Sequence, residues 1–291
     1  SRRLPLTFKL YDLFSVLPVR DHYYQPVFRV SDVPEDVWTR ENPLRGVDMN
    51  IDAQLSVLKE FDYNQEIESL PPRYSKEVEE KLGFYFNNET FGSGDAEIFH
   101  NILRRFQPKK LIEIGAGFST RLARQALERN RDEGALCEHI CIEPFEQPWL
   151  EKLGPRIIRA RVESLPLSTF ENLEKNDILF IDSSHIVRTG GDVLFEYLEL
   201  LPTLKSGVLV HVHDIFLPFE YKREWVVERK FFWTEQYLLQ AFLAFNADFE
   251  VFLSLNYLAN RHRNELEKAC PVFSRLGERS PAPGSFWIRR K

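Results

Sequence analysis

Two short clusters in the second half of the chain carry side chains that can move a proton or hold a cation. Asp182-Ser-Ser-His185 sets a carboxylate and an imidazole within one turn, and His211-Val-His213-Asp214 offers two imidazoles on one strand face with a carboxylate at its end. On the ends of adjacent strands, Asp182, His213 and Asp214 can together hold a divalent ion, which would orient a hydroxyl and lower its pKa. His185, with Asp182 and His213 beside it, is then left to take the proton as the catalytic base. Imidazole mixed with carboxylate suits magnesium, manganese, iron or zinc, so the metal's identity stays open. Each lone histidine is equally at home as a hydrogen-bonded structural residue, His211 above all, because it lies deeper in its strand. Asp182 has a second reading, as a residue that only orients a cofactor.

These clusters need a scaffold that gathers strand ends, and the chain from Phe91 onward provides it. Leu111, Ile112 and Ile114 read as a buried parallel strand running into Glu113-Ile-Gly115-Ala-Gly117, and Ser119 or Thr120 can cap a helix reaching about Asn130. Further strands are expected over His139–Glu143, Arg156–Val162, Asp177–Asp182 and Gly207–His213, with a long helix from Gly191 to Leu204. Five strand-helix units with polar residues at each strand's carboxyl end predict an open, doubly wound α/β sheet whose ligand crevice lies outside those ends. Gly115 and Gly117 let the backbone turn sharply and approach a ligand. A dinucleotide fingerprint would place a third glycine where Thr120 stands, and the acid Glu113 suits a ligand with a positive amine better than a pyrophosphate. S-adenosylmethionine carries such an amine.

The Glu113-x-Gly115-x-Gly117 pattern resembles motif I of the class I S-adenosylmethionine-dependent methyltransferases. Over about two thirds of the chain, from Phe91 on, the sequence looks like the methyltransferase-domain family 24, with Asp182-Ser-Ser-His185 and His213-Asp-Ile-Phe216 as the more specific motifs. The resemblance implies a Rossmann-like, mostly parallel seven-stranded sheet, with segments 249–255 and 284–290 as an antiparallel C-terminal edge pair. It implies S-adenosyl-L-methionine as cofactor and a hydroxyl of a sugar, glycan or natural product as acceptor. The chain is more distantly similar to metal-dependent macrolide-sugar O-methyltransferases. There an acid matching Asp182 and an acidic pair matching His213 and Asp214 hold magnesium, and a histidine matching His185 is the base. A histidine replaces the first acid of that pair here, which touches the choice of metal more than the base.

Cofactor roles follow along the strands. Glu113 is expected to receive the methionine amine, Gly115 and Gly117 to admit the backbone approach, and Ser119 to stand at the helix start beside the ligand. Glu143, about 30 residues beyond Glu113 and one βαβ unit away, fits the ribose hydroxyls. Glu163 stands where methyltransferases of this class contact the adenine, and Asp182 borders the same site. Ser93, Gly94 and Asp95 open the preceding helix, over Ala96–Phe106, and either approach the ligand's carboxylate end or merely cap that helix.

The rest of the chain sets limits. With 43% hydrophobic and 28% charged residues the composition is that of an ordinary soluble protein, and the net charge of -6 argues against nucleic acid as partner, despite Arg156, Arg159 and Arg161. Cys137, Cys141 and Cys270 are odd in number and form no C-x-x-C pair, which favours a reducing, cytoplasmic setting. No apolar run reaches the roughly 18 residues of a membrane span, and the sequon at Asn88 reads as chance. The sole methionine is Met49, so the natural start is expected upstream, and a homo-oligomer or a parent multidomain chain stays open.

Residues 1–92 are expected to form an arm or cap packed on a main domain over 93–291. Pro5, Pro18, Pro26, Pro34, Pro43, Pro71 and Pro72 divide the arm, one helix pattern spans Ile51–Leu70, and Tyr11, Phe14, Tyr23, Tyr24 and Phe28 are too many aromatics for a disordered tail. Near the end, 216–225 and 231–237 are dense in aromatics, as a ring-binding substrate loop or as a hairpin over the sheet. A helix over Glu235–Phe245 and a surface helix over Ala259–Glu267 complete the expected elements. The other function classes are a non-haem metal oxygenase on the same sheet, a silent cofactor-binding module and, less favoured, a nicotinamide dehydrogenase.

Overall fold

The computed structural model describes residues 11, 13, 14, 16, 19, 24, 25 and 27–291; Pro5, Pro18, Pro26 and Tyr23 lie outside the described residues. Seven strands form one sheet: β1 Lys110–Ile114, β2 Glu138–Ile142, β3 Arg156–Ile158, β4 Ile178–Ile181, β5 Leu209–Val212, β6 Phe249–Ser254 and β7 Phe286–Arg290. Their order is β3-β2-β1-β4-β5-β7-β6, parallel through β5, with β7 antiparallel to both β5 and β6. This is the expected mostly parallel sheet with an antiparallel edge pair. β4 and β5 are buried at every position, because both faces of a wound sheet are covered.

One face carries Leu111, Ile178, Phe180 and Leu209 against Ile98, Phe99, Ile102, Leu122 and Ala126. The other carries Ile112, Ile114, Leu179, Ile181 and Val210 against Val193, Tyr197, Leu200 and Leu239. The helices that matter for the site are, in chain order, α1 Ile51–Lys59, α2 Asn64–Glu68, α3 Lys76–Glu80, α4 Asp95–Phe106, α5 Phe118–Asp132, α6 Pro148–Leu153, α7 Asp192–Phe195 and α8 Glu235–Leu243.

Several expected elements are shorter or broken. The helix expected over Ile51–Leu70 is two, α1 and α2, separated where Phe61 turns into the core. The strand expected to Val162 stops at Ile158, where the Arg159 guanidinium reaches back to the Glu143 carbonyl (3.1 Å) and the chain turns into a 3-10 helix over Val162–Ser164. The helix expected over Gly191–Leu204 begins as α7, widens to a π turn over Glu196–Leu200 and closes as a 3-10 turn over Leu201–Thr203. Pro202, lacking an amide hydrogen, cannot continue it as an α-helix. The surface helix expected over Ala259–Glu267 is a pair, Leu255–Arg261 and Arg263–Ala269, with Leu258 and Leu266 fully buried.

The compact units divide the chain elsewhere than at residue 92. The larger comprises Glu41–Phe219 and Trp233–Lys291, and the smaller Ser1–Arg40 and Glu220–Phe232. Within the smaller unit Phe28 meets Phe232 edge-on at 5.0 Å and Arg223 pairs with Glu35 at 3.2 Å. Within the larger, α1 guards the edge strand: Gln54 accepts from the Ser254 amide at 2.8 Å and Asn50 donates to the Val251 carbonyl. Among the described residues no helix is long and apolar enough to cross a membrane.

A charge cluster ties α2 to α4 and α5. The Glu66 carboxylate sits 2.8 Å from His100 Nε2 and 3.0 Å from Arg104 Nε. Burial alone would push Glu66 up, but the bonds to His100 and Arg104 outweigh it and lower the carboxyl from 4.5 to about 2. Burial holds His100 below its ordinary value, so Arg104 carries the positive charge. A depressed carboxylate stabilises the fold above its unfolded pKa, and that contribution disappears as pH falls from 4.5 toward 2. Urea unfolding across this range is expected to show that acid loss, and Glu66→Gln to flatten it.

Candidate functional site

The crevice is built around the turn after β1. The Gly115 amide donates to the Ile142 carbonyl at 3.0 Å, and the Asp182 amide to the Ile114 carbonyl at 2.9 Å, so the ends of β2, β1 and β4 are stitched together. Gly115 has φ +87, and a Cβ there would lie 2.1 Å from the Asp182 carbonyl oxygen. Only glycine fits. Gly117 is extended, with nothing near a Cβ; its amide donates to Thr120 Oγ1 at 3.1 Å and it caps α5, so the helix begins at Phe118, one residue before the expected Ser119.

Two cavities flank this turn and share Asp182. One, of about 300 Å³, is lined by Gly115, Glu143, Phe145, Val162, Glu163 and Ser183 among others. The second, of about 340 Å³, is lined by Thr90, Phe91, Gly117, Ser119, Arg121, Trp149 and neighbours. Glu143 accepts from the Ala116 amide (3.3 Å) and the Phe145 amide (2.9 Å), which fixes its carboxylate at the rim of the first cavity. Glu143, Glu163, Gly115, Gly117, Ser119 and Asp182 are therefore brought together as expected.

Two expected cofactor residues are placed differently. Glu113 is fully buried and lines neither cavity: Ser119 Oγ (2.9 Å) and Thr120 Oγ1 (3.2 Å) donate to it, and His139 Nε2 lies 2.6 Å away. Strand alternation turns its side chain under α5, where it braces the turn from within. Gly94 is the N-cap of α4, with φ +81; its amide donates to Glu97 Oε2, and a Cβ there would meet Pro283 at 3.2 Å. Its neighbours are equally structural. Ser93 Oγ bonds Ser280 Oγ, and Asp95 accepts the Gly284 and Ser285 amides, tethering the lead-in to β7.

The two chemical clusters do meet. His185 is 5% exposed, with φ +59, and its Nε2 lies 3.3 Å from Asp182 Oδ1 and 3.8 Å from Asp214 Oδ2. Its Nδ1 is 2.8 Å from Glu235 Oε2, and Glu235, fully buried, accepts the Tyr197 hydroxyl at 3.1 Å on its other oxygen. Thr234 and Glu235 amides donate to the His185 carbonyl, and the Trp233 ring packs 4.4 Å from the imidazole. Burial alone would depress the imidazole, but hydrogen bonds with Asp182 and Glu235 outweigh it and raise His185 well above 6.5. Burial likewise opposes ionisation of Asp182, yet His185 and the charge of His213 hold it below its ordinary value.

In the expected metal trio of Asp182, His213 and Asp214, His213 Nε2 lies 3.8 Å from Asp214 Oδ1. Ligand atoms of Asp182, His185 and Asp214 all lie within 4.8 Å of one another, while His213 stands outside that group. Its ring packs on Phe91 (5.2 Å) and His211 (5.5 Å), its Nε2 is 3.4 Å from the Thr90 carbonyl, and its Nδ1 has no hydrogen-bond partner among the described residues. His213 is thus tied to the aromatic layer under the site. With Nδ1 held by Glu235, the His185 Nε2 and two carboxylates form a donor set that fits a divalent ion. His211 is core, stacked 3.9 Å from Phe180 with Nε2 2.9 Å from Ser285 Oγ.

Glu235 entered the sequence analysis only as the start of a helix, with no role at the site. It lies 50 residues from His185 in an aromatic-rich stretch, and no local spacing links a carboxylate to an imidazole across that distance.

Comparison with known proteins bears on this geometry. Residues 112–215 match the family model described as a methyltransferase domain, a span from β1 to the residue after Asp214. Over that span, which is about a third of the chain, the sequence is similar to a methyltransferase domain. An uncharacterized protein of Archaeoglobus fulgidus is 26% identical over 167 residues, 54% of this chain and 74% of that protein. The chain is also similar to the solved O-methyltransferase TomG of Streptomyces achromogenes, in complex with S-adenosylmethionine, at 15% identity and TM-score 0.39 over 81% of this chain and 88% of that one. An O-methyltransferase from Bacillus cereus, in complex with S-adenosylhomocysteine, is 12% identical with TM-score 0.37 over 82% and 91%.

Among the described glycines, Gly115 leaves the least room for a side chain. Gly115→Ala is expected to weaken S-adenosylhomocysteine binding at least ~10-fold, since relieving the overlap moves β4 by more than the packed crevice allows. Isothermal titration checks this, and Gly117→Ala, at an extended and open position, is expected to cost much less.

Proposed function

We propose that the protein is an S-adenosylmethionine-dependent O-methyltransferase, acting on a hydroxyl of a sugar, glycan or natural-product acceptor. The observation that carries this reading is the His185 imidazole held beside Asp182, the residue common to both cavities at the cofactor turn. Methyl transfer is an in-line displacement from sulfur to oxygen, so the protein's task is to hold the acceptor in line and take its proton. His185 takes it on Nε2. Glu235 fixes the tautomer through Nδ1 and stabilises the cation that forms. Trp233 offers a flat ring beside the base, a surface suited to a ring-bearing acceptor. Glu143 and Glu163 fit the nucleoside end, and residues 41–92 contribute Thr90 and Phe91 to the wall of the second cavity.

A second reading rests on the convergence of Asp182, His185 and Asp214. An ion held there would polarise the acceptor hydroxyl, and His185 would serve as its ligand. A non-haem oxygenase on the same sheet is not favoured, given the methyltransferase match.

The test is transfer of label from S-adenosylmethionine to a panel of glycosides and natural-product alcohols, with and without chelator. Label on a hydroxyl is expected; label on an amine would overturn the acceptor class, and cofactor binding without any transfer would favour a silent module. Loss on chelation selects the metal reading. For the base reading, His185→Ala is expected to lower the rate about 100-fold or more with cofactor affinity nearly unchanged. Because the folded imidazole is raised well above 6.5 and must be neutral to act, the rate should climb with pH through an inflection above that value.

A further inference from the structure

We infer that Arg121 anchors the α-carboxylate of the cofactor's amino-acid tail, in a chamber whose lining also includes Asp182. S-adenosylmethionine is a nucleoside joined to a zwitterion, and the two cavities at the glycine turn divide in the same way. The first has the residues of a nucleoside site, with Glu143 just after β2 and Glu163 in the 3-10 turn beyond β3. Among the described residues lining the second, Arg121 and Asp182 are the charged ones, one cation and one anion. A tail carrying one ammonium and one carboxylate is the complement of that pair.

Arg121 is built into place, although its side chain is only 7% exposed. Its Nη1 and Nη2 donate to the two oxygens of Glu79, on α3, at 2.8 and 3.1 Å. Its guanidinium carbon lies 4.8 Å from the Phe118 ring centre and 5.1 Å from that of Trp149. Glu79 uses two of the five guanidinium N–H donors, so three stay available to a second carboxylate. The rings limit water around the fork, which strengthens a charge-assisted bond made there. Arg121 was not singled out in the sequence, because a charged residue in the second turn of a helix is ordinarily a solvated one.

This inference rests on S-adenosylmethionine occupying the crevice, and the test separates the two ideas. Binding of S-adenosylhomocysteine, which has the tail, is compared by calorimetry with methylthioadenosine, which lacks it. Arg121→Gln is expected to weaken the first about 10- to 100-fold and leave the second unchanged. Arg121→Lys should restore part of the loss, because a point charge replaces a bidentate fork. Glu79→Gln, which loosens the fork without removing its charge, should cost a few-fold on the tailed ligand only, and it carries the test if Arg121→Gln does not fold. Equal weakening of both ligands, or no weakening of S-adenosylhomocysteine, overturns the role of Arg121. If the unaltered protein binds neither ligand, the cofactor assignment itself falls and this inference with it.

Discussion

The close approach of Gly115 to the Asp182 carbonyl is the constraint on which the site depends. β1 and β4 are neighbours at the point where the strand order reverses, with β2 and β3 on one side and β5 on the other. A crevice opens at such a reversal because the connections on either side run away from it. Here the backbones at its floor are so close that no side chain fits between them. The turn after β1 and the acid after β4 therefore cannot separate, and both cavities inherit their shared wall from that contact.

Around this floor several buried ionisable groups sit beside polar partners. Glu113 is surrounded by two hydroxyls and an imidazole, which replace the water it lost and brace the start of α5. His185 lies among Asp182, Asp214 and Glu235, and its own carbonyl accepts two amides from the segment that carries Glu235. The backbone clamp and the side-chain bond act on one residue from one segment, so the imidazole is oriented without depending on a loop of its own. Behind it, burial and the charges of Glu235 and Asp192 push Glu196, which accepts from Ser183 Oγ, well above the ordinary carboxylate range. A second negative charge at that depth would compete with Glu235 for the imidazole.

Residues 41–109 belong to the larger compact unit. Glu66, Glu79 and Gln54 each leave a short helix to satisfy a group on the main body, Arg104, Arg121 and the Ser254 amide respectively. Those bonds span 38, 42 and 200 positions in sequence. Such pairings leave no periodic trace, which is why the proline-broken segment was the least legible part of the chain while five parallel strands were plain.

What the sequence determined by itself was whatever depends on local order: apolar runs for the buried strands, the glycine turn, and the polar residues at strand ends that fix where a ligand must lie. Glu143 and Asp182, each directly after a strand, were placed for that reason. What only the tertiary structure decided was direction and partnership. Glu113 points under α5 because strand residues alternate faces, Gly94 turns toward Pro283, and His213 joins the aromatic layer while His185 takes its place beside the two aspartates. Glu235 joined the site only when segments far apart in the chain were packed together, and Arg121, although local to the glycine turn, is fixed by Glu79 42 positions away, since a hydrogen bond needs two atoms within about 3 Å and sequence spacing gives no such distance across a crossover.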